Sequence, residues 1–173
     1  MDNKKKQIMY IVNDDPYYTS YWIIILLKVL KNENGKFFTD YKKIPFLISI
    51  LNNDDLMHLF ENTDSFSNSI ENRDLLFKSY KFGISKRSSF LHLLLTLEKK
   101  SFVTLKRSNK YFTLDVSLNK EKIKDDFFDK GLFCEEYKNT LAFKNVIKRL
   151  SSLKLSTFIE NTYNKNGVKT WQI

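Results

Sequence analysis

Helical and alternating hydrophobic patterns meet in residues 85–116, and the rest of the chain is organised around them. From Ser85 onward, leucines and helix-forming Glu and Lys run without Gly or Pro, which predicts a helix over about fifteen residues with Ser85 as N-cap. Residues 102–107 and 111–116 then alternate between apolar and polar side chains, as strands do. Ser and Asn in residues 107–110 favour a turn between them. The pattern predicts a helix that leads directly into a β-hairpin.

Upstream, residues 21–27 are apolar on every side, which predicts a helix buried on several faces. Its start is marked by Asp15 as N-cap and by Pro16 at the first helical position. The helix is expected to reach about Lys31, and residues 36–38 suit only a short strand. We therefore expect this first helix to be the centre of the core.

Further helices alternate with polar breaks. A proline lies inside the second helical pattern, so that helix is expected to begin near Ile44. Gly83 is expected to end the helix before it. The predicted helices are at about 44–51, 54–61, 70–80, 119–129 and 135–163, the last with a break near 151–152.

This order is that of a winged helix-turn-helix with an insertion. We predict a mostly α fold with a small β-hairpin. Residues 1–13 would form an N-terminal arm, and 14–116 a winged-helix-like core with helices inserted at about 54–84. Residues 117–173 would form a helical C-terminal extension.

Composition narrows the class of protein. Hydrophobic residues make up 42% of the chain and aromatic residues 15%, which excludes global disorder. Only 4 Gly and 2 Pro argue against a turn-rich all-β fold. Cys134 is the single cysteine, which excludes an internal disulfide, and we expect it to be a buried thiol. The apolar run at 21–27 is far shorter than the ~20 residues of a membrane span, so a soluble, cytoplasmic protein is expected.

The net charge of +9 lies entirely in the second half of the sequence. Residues 85–114 and 138–173 are basic, each with 7 Lys and Arg against 1 acidic residue, and they flank an acidic segment at 115–137. The basic blocks would attract a phosphate backbone. Ordinary solvated surface charge explains them equally well.

Catalytic and metal-binding patterns are absent from the sequence. His58 and His92 lie in apolar helices, and no pair of histidines has metal-ligand spacing. Adjacent carboxylates on a helix diverge by about 100°, which suits capping better than two-carboxylate chemistry. There is no Gly-rich phosphate loop. We expect a protein that is not an enzyme and has no metal or cofactor.

A nucleic-acid role is tested by the helix at 86–100. Its exposed side chains are mostly short (Ser88, Ser89, His92, Thr96 and Lys99), whereas base reading needs Arg, Asn, Gln or Lys. This helix and the hairpin after it could still contact backbone phosphates without reading bases. The candidate phosphate contacts are Lys86, Arg87, Lys106, Arg107 and Lys110. The candidate partner-binding residues, on the apolar stripe of the last helical stretch, are Leu141, Val146, Leu150, Leu153 and Phe158.

The predicted elements follow one order along the chain: an apolar helix that starts with a proline, a helix rich in Ile, Phe and Leu (44–51), a long insertion, and a helix followed by a wing (85–116). Over about residues 14–130 this resembles the small middle components of ABC-three-component systems, such as Lamassu bacterial defence. The resemblance implies a kleisin-like adaptor that binds an SMC-like coiled-coil ATPase and an effector, often a nuclease, in anti-phage and anti-plasmid defence. The basic blocks at 85–114 and 138–173, rather than the resemblance, favour contact with DNA through such a complex. The alternative is a winged-helix DNA-binding regulator or a plasmid or phage replication initiator, which a homodimer would favour.

Overall fold

A computed structural model describes residues 15–61, 69–109, 112–128, 131 and 133–171. Within them the fold is mostly helical, with one two-stranded antiparallel hairpin. The predicted N-terminal arm lies outside the described residues. The regular elements are α1 Pro16–Val29, α2 Ile44–Leu51, α3 Asp54–Glu61, α4 Ile70–Ser85, α5 Arg87–Lys99, β1 Val103–Arg107, β2 Leu114–Leu118, α6 Cys134–Val146 and α7 Leu155–Thr162. Short 3₁₀ turns lie at Tyr41–Lys43, Lys120–Lys122, Asp125–Phe128 and Asn164–Asn166.

Helix α1 begins as its sequence predicts. The carboxylate of Asp15 accepts a hydrogen bond of 2.8 Å from the N–H of Tyr17, and Pro16 occupies the first turn. Residues 22–27 are all buried, while Tyr21 is 40% exposed. The prediction of a central core helix is confirmed for all of this run except Tyr21.

An extended segment between α1 and α2 lies beside the hairpin. Phe38 and Val116 exchange two backbone hydrogen bonds of 2.7 and 2.9 Å in an antiparallel bridge. Glu33 forms a parallel bridge to Leu118, also in β2. The short strand predicted at 36–38 is thus reduced to a bridge at Phe38, and β2 lies between this segment and β1.

The second strand of the hairpin starts later than predicted. β2 pairs with β1 in a register that places Val116 opposite Leu105. Phe112, which the alternation placed in the strand, lies before it and is exposed. The strand instead continues to the buried Leu118, which pairs with Val103 at the start of β1 and also bridges to Glu33.

The entry to α2 is fixed by a buried aspartate with a positive φ of 61°. The backbone N–H of Asp40 donates to the carboxylate of Asp115, and its own carboxylate accepts from the hydroxyl of Thr113 and the N–H of Lys42. These bonds offset the cost of the left-handed backbone. The α-helix then begins at Ile44, as predicted.

Two predictions about the junction of α4 and α5 are wrong. Gly83 does not end α4, which continues to Ser85. A Cβ at position 83 would overlap the ring of Phe46, so the glycine allows close contact between α4 and α2. Ser85 is not the N-cap of α5, because its hydroxyl donates to the carbonyl of Phe82 within α4. Lys86 occupies the cap position, without a capping side chain.

The C-terminal residues share the core of the preceding helices. The ring of Phe143 lies 5.1 Å from that of Phe60, and the ring of Phe158 lies 6.3 Å from that of Phe46. The predicted break between two helices is confirmed, since α6 and α7 are separated by residues 147–154. α6 and α7 therefore both contribute to the core built around α1 and α2.

Two further predictions about this region are wrong. The helix predicted at 119–129 is a pair of 3₁₀ turns, because Ile123 between them has extended backbone angles. Cys134 is exposed rather than buried. It is the first residue of α6, and the buried positions of that helix are a turn or more later, at Thr140 and Phe143.

The tail docks as predicted as far as it is described. The indole of Trp171 lies 5.5 Å from the ring of Tyr80 and 6.2 Å from that of Phe77. Its carbonyl accepts a hydrogen bond from the hydroxyl of Tyr80. Ile173, predicted to dock with it, lies outside the described residues.

None of the helices in the described part of the chain combines the length and hydrophobicity that crossing a membrane requires.

Candidate interaction surfaces

Arg87, a predicted phosphate contact, is turned towards the core. Its guanidinium carbon lies 5.4 Å from the ring centroid of Phe46. Its Nε and Nη2 atoms are buried and have no hydrogen-bond partner among the described residues. Burial lowers the pKa of Arg87, and the charge of Asp40 opposes that shift. This half-buried position does not favour the phosphate contact predicted for Arg87.

Two other predicted phosphate contacts, Lys106 and Arg107, do not share a face of the hairpin. Lys86 and Lys106 each lie over an aromatic ring, with Nζ 6.0 and 5.7 Å from the centroid. Lys106 and Arg107 are both exposed, but as neighbours in β1 they point to opposite faces of the hairpin. Lys110 lies outside the described residues. The hairpin thus presents positive charge on both faces.

The predicted partner-binding stripe is split by the fold. Leu150 and Phe158 are buried inside the chain, and Leu153 is half-buried. Only Leu141 and Val146 are exposed, by 49% and 36%. The prediction treated these residues as one apolar surface of a helical stretch. In the structure, α6 and α7 are separate helices, and each directs apolar side chains to the same core. The inclusion of Leu150 and Phe158 in a partner surface is wrong.

A different surface emerges between α1 and α5. One cleft of about 540 Å³ and an adjoining one of about 370 Å³ share Pro16, Leu93 and Thr96 as lining residues. We call the two together the α1–α5 groove. The exposed side of α5, including Ser89 and His92, lines it. Apolar side chains of the larger cleft include Tyr21, Ile24, Leu93, Leu97, Phe102 and Phe127.

Aromatic rings brace one wall of this groove. The ring of Tyr21 lies 5.5 Å from that of Phe127 and 5.9 Å from that of Phe133. Phe127 and Phe133 lie 5.4 Å apart. Tyr17, one turn earlier in α1, is 70% exposed at the groove. The α1–α5 groove is therefore apolar, braced and open to solvent, and sequence periodicity alone did not reveal it.

Lys43 has a property that is common among reactive lysines. Burial lowers its pKa to about 7, and the charges of Asp40 and Asp115 oppose the shift. Its side chain is fully buried, however, and Nζ donates to the carbonyl oxygens of Leu150 and Leu153, each at 2.8 Å. A nucleophile must reach its substrate, so this arrangement fits a structural role.

Groups suited to metal or ligand chemistry are sparse in this structure. Across residues 15–61, 69–109, 112–128, 131 and 133–171, no group of three or more His, Cys, Asp or Glu side chains is placed to hold a metal ion. His58 and His92 are both exposed, on separate helices. A polar cleft of about 570 Å³ is lined by two cations and two carboxylates, so its charge favours neither sign of ligand. Its charged lining residues are Asp40, Lys42, Lys154 and Glu160.

A scan against protein-family models, a search of the curated proteins and a search of the solved structures each found no match. The resemblance to middle components of defence systems is accordingly one of element order and size.

Proposed function

We propose that the chain is a non-enzymatic, kleisin-like adaptor subunit of an SMC-like ATPase complex in anti-phage or anti-plasmid defence. In this proposal it links the ATPase to an effector nuclease in the cytoplasm, and the assembly contacts the DNA backbone. The subunit itself requires no metal or cofactor. The ATPase, the effector and the defence role come from the resemblance in element order.

A winged-helix core is part of this proposal. The bridge between Phe38 and Val116 supports it, because in winged helices the extended segment after the first helix pairs with the second strand of the wing. The helix before the hairpin, α5, would then be the recognition helix. The helices α3 and α4 would be the insertion.

The surface of α5 carries the case for protein binding. A helix that reads bases needs long polar side chains that enter the major groove. The exposed side of α5 offers Ser89, His92 and Thr96, and it adjoins the apolar cleft beside α1. An apolar groove at this position favours an adaptor over a sequence-specific regulator.

Copurification tests the proposal. The tagged chain would be expressed together with the genes that flank its own, and partners present in equal amount would be identified by mass spectrometry. We expect a coiled-coil ATPase in the complex and no ATPase or nuclease activity in the isolated chain. An isolated homodimer that binds one duplex sequence selectively would contradict the adaptor and favour a DNA-binding regulator or replication initiator.

A further inference from the structure

The α1–α5 groove carries charge of one sign among the residues that the structure describes. Lys86 and Lys100 are the charged residues among those that line its two clefts, and none of these described lining residues has a carboxylate. Between the lysines the lining is apolar or carries hydroxyl groups and an imidazole. A ligand that fits this surface has an apolar face and negative charge.

The two lysines set the length of that ligand. Lys86 directly precedes α5 and Lys100 directly follows it. The fourteen residue steps from Lys86 to Lys100 span roughly 21 Å, at 1.5 Å per step. A partner helix of about four turns, lying along α5, would cover the apolar floor and bring residues near both of its ends close to the lysines.

We propose that the α1–α5 groove binds an amphipathic helix of a partner subunit, with an apolar stripe on the groove floor and acidic residues near both ends. This inference rests on the proposed adaptor function, which supplies the partner. The binding mode is a helix laid in a groove, where the apolar contacts give affinity. The lysines select acidic over basic partners.

Two other occupants fit the groove less well. Nucleic acid is bound chiefly through many phosphate contacts, and two lysines about 21 Å apart around an apolar floor supply few. A second copy docked groove to groove would bring the same surface of each copy together, because a two-fold interface is self-complementary. That would place lysines near lysines without carboxylates from the groove to offset them.

Model peptides of 18 residues test the inference on the full-length protein by fluorescence anisotropy. The first has a leucine stripe flanked by glutamates, and the second has the same stripe with lysine in place of every glutamate. We expect the acidic peptide to bind more tightly by on the order of tenfold or more. Equal binding of the two peptides, or binding of neither, would overturn the proposal.

Adjacent lysines give a matched pair of variants. Lys100→Glu changes a residue that lines the groove, whereas Lys99→Glu makes the same change next to it, outside the lining set. We expect only Lys100→Glu to weaken binding of the acidic peptide and to strengthen binding of the basic peptide. Tyr17→Glu, at a 70% exposed position, should weaken binding of the acidic peptide without disturbing the core. Equal effects of Lys99→Glu and Lys100→Glu would contradict the proposal.

Sedimentation and copurification separate the remaining outcomes. A dimer that forms with rising concentration and is abolished by Tyr17→Glu would place a second copy in the groove and overturn the inference. If an ATPase copurifies but Tyr17→Glu and Lys100→Glu alter neither the complex nor peptide binding, the groove inference fails and the adaptor function stands. If no ATPase copurifies but the peptides bind as expected, the adaptor proposal fails and the groove assignment stands.

Discussion

The Nζ atom of Lys43 donates a hydrogen bond of 2.8 Å to the carbonyl oxygen of Leu150, 107 residues further along the chain. A second bond of 2.8 Å reaches the carbonyl of Leu153. Nearby, the backbone N–H of Thr39 donates to the carbonyl of Ser151, also at 2.8 Å. The segment that enters α2 and the loop between α6 and α7 are thus held together outside any regular element.

Replacing Lys43 should loosen this junction. At pH 9.5, where most of the cost of deprotonating Lys43 on folding has been removed, Lys43→Met is expected to lower the free energy of unfolding by about 1–3 kcal/mol, because buried carbonyls lose their donor while the apolar stem is kept. Urea unfolding measures the loss. Lys42→Met, at the half-buried neighbour, is the control and should stay within about 0.5 kcal/mol of wild type. A Lys43→Met variant as stable as wild type would show that the junction is held by other contacts.

Lys43 should also make stability depend on pH. Burial lowers its pKa to about 7, against ~10.4 in an unfolded chain. Between these values the unfolded chain binds more protons than the folded one, so the free energy of unfolding rises with pH. Relative to Lys43→Met, wild type should gain roughly 1 kcal/mol per pH unit above pH 7.

Urea unfolding of both proteins from pH 6.5 to 9.5 checks this dependence. Burial raises the pKa of the Tyr163 phenol in the folded protein above its value of ~10 in the unfolded chain. The pH range stops below ~10 so that this tyrosine does not contribute. Stability linked to a raised tyrosine pKa is lost only as the pH rises above ~10, which is the opposite sign. A constant difference between wild type and Lys43→Met across the range would contradict the prediction.

Gly83 should resist substitution although it lies in a helix. Gly83→Ala gains helix propensity of about 1 kcal/mol, but its Cβ would overlap the ring of Phe46. We expect a net loss of about 1–3 kcal/mol in the free energy of unfolding, as for other overpacked cores. In a Phe46→Leu background the cost should shrink, because the ring is gone. A double-mutant cycle by urea unfolding measures this coupling, and strictly additive effects would refute it.

Charge reversal on the β1–β2 hairpin tests the proposed contact between the assembled complex and DNA. Lys106→Glu, Arg107→Glu and Lys110→Glu together should weaken binding to all duplexes alike, because phosphate contacts carry no sequence information. Each lost phosphate contact should reduce the slope of log affinity against log salt by ~0.9. A salt titration by fluorescence anisotropy measures the slope, with Lys99→Glu as a control on the neighbouring helix.

The same triple variant distinguishes a second possibility for the hairpin. If its lysines and arginine face an acidic partner subunit, charge reversal should prevent assembly of the complex, which copurification would detect. Intact assembly with an unchanged salt slope would contradict both expectations. Arg87→Glu is unsuitable for this experiment, because its guanidinium packs over Phe46 and the substitution should destabilise the core.

The sequence by itself determined features that depend on neighbouring residues. Asp15 and Pro16 fix the start of α1 because the cap and its helix are adjacent in the chain. The proline after Ile44 delays the start of α2 for an equally local reason. The order of a helix and then a hairpin at 85–118 follows from the change of hydrophobic period.

Only the tertiary structure decided which way the functional side chains point. Arg87 turns inward because the ring of Phe46, from α2, lies beneath it. A Cβ at Gly83 would overlap the same ring, so this glycine lets α4 pack closely on α2 instead of ending the helix. The predicted apolar stripe divides because α6 and α7 are separate helices that face one core. The α1–α5 groove exists because helices far apart in sequence lie side by side. Periodicity records which residues share a face of one element, whereas these contacts depend on which element that face meets.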